Sequence, residues 1–338
     1  FPTNDCSMCT ISPRLGQTAG HRNIEVLTDT ELLKLDGDAG HFTATVRRNA
    51  RFVDMEKCTA CDDCVPVCPI TVRDKYNEGL SERKAIYKLY PQAIPNAYAV
   101  DKRGYAPCKS ACAVQTSAQG YVALIREGKF AEAYRVAAEP NPFPSVCGRI
   151  CAHACETDCT RGKVDEPIAI ASLKRFVCDV AGPDQLPEPL PVQHAERIAI
   201  IGAGPAGLSA ARDLAQYGYA TTVFEALPVA GGMLRVGIPD HRLPHDVLQR
   251  EIDQICALGV DLRLNQRCGA DFTVDSLLAD GYSAVFLGVG LQKGLPSPVP
   301  GDDLSGTLQA VDFLREVNLE RPPAVGERVV VIGGGDVA

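Results

Sequence analysis

Apolar and polar positions change rhythm three times along the chain. Residues 41–47, His41-Phe42-Thr43-Ala44-Thr45-Val46-Arg47, alternate with period two after the turn Gly37-Asp38-Ala39-Gly40, which predicts a hairpin with residues 32–36. Between 105 and 181 the period lengthens to that of a helix. Apolar residues recur at Tyr121, Leu124 and Ile125, then at Phe130, Ala133, Tyr134 and Ala137, and again through 168–180 after Pro167, a favourable first helical residue. Pro183, Pro187, Pro189 and Pro191 fix φ and bias the residues before them away from helix, so 182–195 reads as an extended linker. Beyond it, strand and helix patterns alternate at 197–201, 205–217, 220–225, 244–258, 260–264, 284–289, 309–317 and 328–332. Such alternation predicts an α/β doubly wound, Rossmann-like fold with a parallel sheet. The modules expected are 1–104, a helical module at 105–181, the linker at 182–195, an α/β domain at 196–327 and the start of another at 328–338.

Composition narrows the classes. At roughly 150 residues per domain, 338 residues make about two domains, and 46% hydrophobic with 22% charged residues is ordinary globular usage. Mean hydropathy is −0.03 and no apolar run approaches the ~20 residues of a membrane helix, so no membrane span is expected. Lys and Arg number 34 against 42 Asp and Glu, and a net charge of −8 leaves no overall positive field for nucleic acid. The chain opens on Phe1 without a basic and then apolar leader, and it closes on a strand-like run into a Gly-rich turn with no helix after it. It therefore reads as a piece cut at both ends, expected to be inactive with a nicotinamide donor on its own, with a cytoplasmic location as the expectation. The outlier is cysteine: of 15, twelve lie between Cys6 and Cys159, and only Cys178, Cys256 and Cys268 come later.

Cys58-Thr-Ala-Cys61-Asp-Asp-Cys64-Val-Pro-Val-Cys68-Pro69 has the C-x2-C-x2-C-x3-C-P spacing of a bacterial ferredoxin. That run points three thiolates at one cubane and turns the fourth toward a neighbouring cluster, whereas a zinc site pairs ligands from separate segments. Cys6 and Cys9 form a CxxC and Cys108 and Cys112 a further pair, all available as donors; a metal-free CxxC is the alternative for the first. Cys147, Cys151, Cys155 and Cys159 follow at intervals of four. Gly148 and the lack of sustained apolar spacing favour a loop wrapping an inorganic core over a continuous helix. A disulfide framework belongs to small secreted chains and fits poorly beside nucleotide folds. Cys178, Cys256 and Cys268 lack such partners and are expected to pack in cores.

Ile198-Ala-Ile-Ile-Gly202-Ala203-Gly204-Pro205-Ala206-Gly207 follows a strand and opens a helix, and Glu225 ends the next strand. This is a dinucleotide site: the glycines permit a tight turn and close approach of a pyrophosphate, the helix N-terminus attracts the phosphates, and Glu225 accepts from ribose hydroxyls. Gly333-Gly-Gly335-Asp-Val-Ala338 repeats the form, so two nucleotide sites are expected.

At these residues the chain resembles two families joined end to end. Phe1-Pro-Thr-Asn-Asp-Cys-Ser-Met-Cys-Thr-Ile-Ser-Pro-Arg through Pro69, with Arg83-Lys-Ala-Ile-Tyr and Pro91-Gln-Ala-Ile-Pro, resembles the inserted ferredoxin part of the heterodisulfide reductase A subunit. From Ala106-Pro-Cys108 onward it resembles the glutamate synthase small subunit and its relatives, the electron-bifurcating transhydrogenase large subunit and the N-terminal half of dihydropyrimidine dehydrogenase. The motifs are Asn141-Pro-Phe-Pro-Ser-Val-Cys-Gly-Arg-Ile-Cys, Gly202–Gly207, and Ala230-Gly-Gly-Met-Leu-Arg-Val-Gly-Ile-Pro with Arg242-Leu-Pro. The resemblance implies FAD on the Gly202 motif and Glu225, with Gly231, Gly232, Met233, Leu234, Gly288 and Gly290 near the flavin, and NAD(P)H at Gly333 and Gly335. It implies a ferredoxin-like α+β segment at 1–104 and, in the first family, a second flavin upstream. Relatives of the second family close one cluster with equivalents of Cys108 and Cys159 plus an upstream CxxC, and the other with Cys112, Cys151, Cys155 and a Gln or Glu at the position of Lys174. Here residues 98–107 hold no cysteine and an ammonium is no iron ligand, which leaves Cys68 or Cys147 to fill a vacancy.

The function expected is an FAD-dependent NAD(P)H:acceptor oxidoreductase, with the flavin splitting a hydride into single electrons that [4Fe–4S] clusters carry onward. Partners expected are heterodisulfide reductase B/C-like subunits, an amidotransferase large subunit or ferredoxin; flavin-based bifurcation belongs to the first setting. The alternatives are an NADPH electron-input subunit of the glutamate synthase type and a structural iron–sulfur module without turnover. No side chain is expected to act as a catalytic acid, base or nucleophile. Two to three clusters are expected, and iron and acid-labile sulfide of only about four atoms each per chain would defeat that number.

Overall fold

The computed structural model describes residues 7–102, 104–183, 185–295 and 299–335. The chain divides into two compact units, Phe1–Tyr105 with Thr160–Glu166, and Ala106–Cys159 with Pro167–Ala338.

The first unit starts with helix α1 (Ser7–Ala19), which contains Pro13 and which periodicity did not announce. Strands β1 (Thr30–Asp36) and β2 (Thr43–Arg48) form the expected antiparallel hairpin, with Glu31 opposite Arg47 in register and ion-paired to it. Its apolar residues Leu32, Leu35, Phe42 and Val46 are exposed. After the cysteine run and the short helix α2 (Cys64–Val67) come two small antiparallel pairs: β3 (Thr71–Arg73) with β4 (Glu82–Lys84), and β5 (Ile86–Tyr87) with β6 (Ala99–Val100). Arg83 ties them together. Its guanidinium meets Asp74 at 3.4 Å and Asp101 at 2.9 Å and lies 3.7 Å from the centre of the Tyr87 ring.

The second unit begins with helices α3 (Pro107–Ser110), α4 (Ala118–Arg126), α5 (Phe130–Ala138), α6 (Pro144–Ile150), α7 (Ala154–Thr157) and α8 (Ile170–Ala181). Tyr121, Ala133, Ala137, Ile170, Val177 and Cys178 form their shared core. Cys147 therefore lies in a helix, not in the loop that Gly148 seemed to demand. Gly148 is there for packing: a Cβ on it would stand 2.8 Å from the Arg175 amide nitrogen, so glycine lets α6 touch the backbone of α8.

The α/β part follows in the order β7 (Arg197–Ile201), α9 (Pro205–Gln216), β8 (Ala220–Phe224), α10 (Met233–Val236), α11 (His245–Ala257), β9 (Asp261–Arg263), α12 (Val274–Ala279), β10 (Tyr282–Leu287) and α13 (Ala310–Asn318). Its sheet runs β10-β7-β8-β9, all parallel. Ile200, Leu208, Val223, Leu248 and Ile252 fill one face and Ala199, Ile201, Phe224, Leu277 and Tyr282 the other. The strand expected at 328–332 does not form, and Val329, Val330, Val331 and Ile332 are exposed. A parallel strand exists only by its ladder, and among the described residues no strand pairs with this run. Cys268 is exposed rather than packed, while Cys178 and Cys256 sit in or against cores as expected.

Two charged side chains fix the helical part to the α/β part. Glu251 on α11, 6% exposed, accepts from the Ser145 amide at 2.5 Å and the Val146 amide at 3.3 Å, the unpaired donors at the start of α6. Arg212 on α9 donates to the Ala138 and Glu139 carbonyls at 3.0 and 2.8 Å, at the end of α5. Each charge complements the helix end that it meets. Burial pushes the Glu251 carboxyl from 4.5 up to about 7, against the opposing pull of the Ser145 and Val146 amides and of Arg149. Because the folded value is the higher one, this group's contribution to stability is complete below pH 4.5 and is lost as pH rises through 7, on the order of 3 kcal/mol in all. Denaturant unfolding should therefore show stability falling between about pH 5 and pH 8, a slope that Glu251→Gln removes. Glu251→Ala leaves two buried amides without an acceptor and should lower stability by roughly 2–4 kcal/mol near pH 5, and by less at pH 8.

Candidate functional site

In the first unit the cysteine run turns through two left-handed residues, Ala60 at φ 57° and Asp62 at φ 71°. Such backbone costs about 1 kcal/mol or more per non-glycine residue and persists only where surroundings hold it. Here Asp62 is held: the Tyr98 hydroxyl donates to its Oδ1 at 2.5 Å, and the Lys88 ammonium lies 3.9 Å from the carboxylate and 5.5 Å from the Tyr98 ring centre. Tyr98 is buried. Cys58, Cys61 and Cys64 are close enough to feel one another, the Cys64 thiol being pushed up first by burial and further by Cys61, Cys58 and Asp62. Cys68 has different surroundings. Burial raises its thiol, but the Ile86, Ile70 and Ala85 amides and Lys84 outweigh that and bring it below the ordinary value. Cys9 is exposed, and Cys6 lies outside the described residues.

In the second unit Cys108 is buried on α3 and is raised by burial and by the nearby Cys159. Cys155 is raised first by burial and also by Cys151 and Cys112, and Cys147 by burial and Cys151. His153, at φ 59°, turns the chain between Cys151 and Cys155. The thirteen cysteines from Cys58 to Cys268 are all free thiols. Among the described residues no three His, Cys, Asp or Glu side chains converge on a point that one ion could occupy. A cubane makes a different demand, since it places its thiolates at four separate corners, and dense sets of free thiols on turning backbone fit that demand better than a single-ion site.

The nucleotide motif is assembled by close contact between glycines far apart in sequence. Gly202, at φ +103°, ends β7, and a Cβ there would stand 2.4 Å from the Gly288 carbonyl oxygen. A Cβ on Gly207 would lie 1.9 Å from the Gly202 oxygen, and one on Gly232 2.7 Å from the Gly204 Cα. The Gly231 amide donates to the Ala203 carbonyl at 2.8 Å. Three expected segments, 202–207, 231–234 and 288–290, thus meet at the C-terminal edge of the sheet, where Met233 and Leu234 open α10 and Gly290 continues the loop after β10. Glu225 is buried there and has backbone partners that the sequence did not show: the Ala203 amide donates to Oε2 at 2.7 Å and the Leu227 amide to Oε1 at 2.9 Å. A carboxylate offers about four lone-pair positions, so it can brace both loops and still accept from a ligand hydroxyl. The residues present fit a dinucleotide. Around Gly333 and Gly335 nothing stands within 4 Å of an added Cβ, so the described residues form no second cradle, and residues 336–338 of that motif lie outside them.

Residues 85–185 match the family described as dihydropyrimidine dehydrogenase domain II, 4Fe–4S cluster, and residues 196–338 match the pyridine nucleotide-disulphide oxidoreductase family. The chain joins an iron–sulfur domain to a pyridine nucleotide-disulphide oxidoreductase domain. It is 44% identical over 259 residues to the NADP(+)-dependent formate dehydrogenase subunit beta of Moorella thermoacetica, covering 69% of this chain and 36% of that protein. It is 37% identical over 333 residues to the NADPH-Fe(3+) oxidoreductase subunit beta of Geobacter sulfurreducens, covering 95% and 48%. It is 36% identical over 269 residues to the glutamate synthase [NADPH] small chain of Halomonas elongata, covering 75% and 57%. The chain therefore spans 36% to 57% of the length of these relatives.

Gly207 is the tightest point of the glycine assembly. Gly207→Ala should displace the turn and abolish flavin retention, read as loss of bound flavin after gel filtration of a protein that keeps its helical circular dichroism.

Proposed function

We propose that the chain takes electrons from NADPH through FAD and passes them over [4Fe–4S] clusters to a partner subunit or ferredoxin. The observation that carries this is the meeting of the three glycine segments beside buried Glu225, in one compact unit with the thiol-rich helices that Glu251 and Arg212 hold against it. Gly202, Gly204 and Gly207 would let the backbone approach a pyrophosphate at the start of α9, and Glu225 would accept from the ribose. Gly231 to Leu234 and Gly288 to Gly290 would hold the flavin, and Gly333 and Gly335 would serve the nicotinamide site. When bound, FAD supplies the change from a two-electron donor to one-electron carriers. The protein's share is to place the thiols and the nucleotide turn on one rigid frame, and no side chain is needed as acid, base or nucleophile. Cys58, Cys61, Cys64 and Cys68 are ligands on the first unit, and Cys108, Cys112, Cys151, Cys155 and Cys159 on the second.

The relatives whose names carry NADP(+) or NADPH support that nicotinamide, and the match over 95% of the chain to an NADPH-Fe(3+) oxidoreductase subunit supports an input role for both units. Residues 1–104 are read as a ferredoxin-like segment of the heterodisulfide reductase A type. The partner is accordingly a heterodisulfide reductase B/C-like subunit, an amidotransferase large subunit or ferredoxin, in the cytoplasm. Among the described residues no helix is long and apolar enough to cross a membrane.

The test is anaerobic addition of NADPH, and separately of NADH, to the full-length protein while absorbance near ~450 nm is followed. Bleaching of flavin and cluster bands, faster with NADPH, is expected. An unchanged spectrum with a protein that dithionite does bleach would favour an inert structural module and overturn the proposal.

A further inference from the structure

Asp62 stands between Cys61 and Cys64 at φ 71°, a left-handed backbone that glycine adopts freely and that a residue with a Cβ adopts only at a cost. The run from Cys58 to Cys68 contains no glycine, so the turn has to be held by its surroundings. Its own backbone bonds are local: the Val65 amide donates to the Asp62 carbonyl at 3.0 Å, and the Cys58 amide to the Asp54 carbonyl at 2.9 Å. Neither bond ties the turn to a distant part of the unit.

Tyr98 does. Its hydroxyl donates to Asp62 Oδ1 at 2.5 Å across 36 residues of sequence. Tyr98 is 5% exposed and its backbone belongs to a frame: it leads into β6, the Val100 amide donates to the Arg51 carbonyl at 2.9 Å, and the Asp101 amide donates to the Ala85 carbonyl at 2.7 Å. The same frame meets Cys68, whose thiol donates to the Ile70 carbonyl at 3.6 Å, an oxygen that also accepts from the Ala85 amide at 2.9 Å. Lys88 is a second arm. Its ammonium donates to Asn96 Oδ1 at 3.1 Å and lies 3.9 Å from Asp62 Oδ1. The Asp62 side chain is 67% exposed, and an exposed ion pair alone fixes little; the bond to a hydroxyl on a buried ring is what can fix it.

Given that Cys58, Cys61 and Cys64 hold a cluster, as the proposed function has it, we propose that Tyr98 is a positioning residue for that cluster: through Asp62 it keeps the turn from Cys61 to Cys64 in the conformation that presents the thiols, with Lys88 in support. Asp62 is the tether. The tether is needed only because position 62 carries a Cβ in left-handed backbone, so glycine there makes it dispensable and alanine does not.

The test uses the full-length protein and follows anaerobic release of iron to the chelator ferrozine, with electron paramagnetic resonance of the reduced clusters alongside. In Tyr98→Phe one set of about four iron atoms should leave about tenfold faster than in wild type, the worth of a hydrogen bond to a charged group. Asp62→Ala should match it, while Asp62→Gly should stay within about twofold of wild type because it relieves the backbone as it removes the tether. Tyr98→Phe added to Asp62→Gly should change nothing further, a coupling that a packing role of the ring would not produce. Should Tyr98→Phe not fold, the exposed site still decides through Asp62→Ala against Asp62→Gly. Wild-type release rates in Tyr98→Phe, an undiminished Tyr98→Phe effect in the Asp62→Gly background, or equal rates in Asp62→Ala and Asp62→Gly would each overturn the proposal. Iron-free wild-type protein would overturn the cluster reading and this role of Tyr98 with it, a result distinct from every variant outcome.

Discussion

A carboxylate removed from water and set against the first amides of a cysteine-bearing helix is what the second unit is organised around. Glu251 reaches from α11 to α6, and Arg212 reaches from α9 to the end of α5, so both bonds leave the nucleotide-binding layer and end on the thiol-bearing layer. The pair is matched in sign to the helix ends, and each bond is directional. Apolar packing alone would leave the helices free to slide, since it is not directional. Phe143 and Val146 do belong to the core of Ile200, Leu208 and Leu248, but it is the two caps that set where on that core α5 and α6 stop.

The same constraint reaches the nucleotide turn by a different route. β7, β8 and β10 end in glycines or in Glu225, and the turn has no room for side chains because three backbone segments occupy it already. Glu225 accepts amides from the loops after β7 and after β8, so one residue ties the turn to the neighbouring strand connection. A site built from backbone in this way is rigid before any ligand enters, and that is how a protein places a redox group without contributing reactive side chains.

The hairpin, the helical module and the alternating strands and helices were legible because their periods are long or their turns are marked by glycine and proline. What escaped has physical reasons. Helix α1 has little apolar stripe and a proline within it, so no period marks it. Gly148 was read as a helix breaker because sequence shows the missing side chain but not the α8 backbone that needs the space. The run at 328–332 has strand composition, yet pairing, not composition, makes a strand. Glu251 and Lys174 were within reach of the sequence. Each sits in register with an apolar stripe, Glu251 among Val247, Leu248, Ile252 and Ile255, and Lys174 among Ile170, Ala171, Val177 and Cys178. A charge at a stripe position is a mark of a buried polar partner, and reading the stripes residue by residue would have found both.

The two thiol-rich stretches differ in the charge set beside them, and that difference has a direction. In the first unit the neighbour is Asp62, an anion partly offset by the Tyr98 hydroxyl and by Lys88 at 3.9 Å. In the second it is Lys174, a cation that lowers the thiols of Cys112, Cys147 and Cys155. Reducing an iron–sulfur centre adds negative charge, so a nearby carboxylate opposes the electron and a nearby ammonium favours it, the more strongly the deeper the burial. Lys174 is 8% exposed, whereas the Asp62 side chain is 67% exposed and its effect is screened by water. The larger electrostatic lever is therefore in the helical module, beside the nucleotide-binding layer that shares its unit.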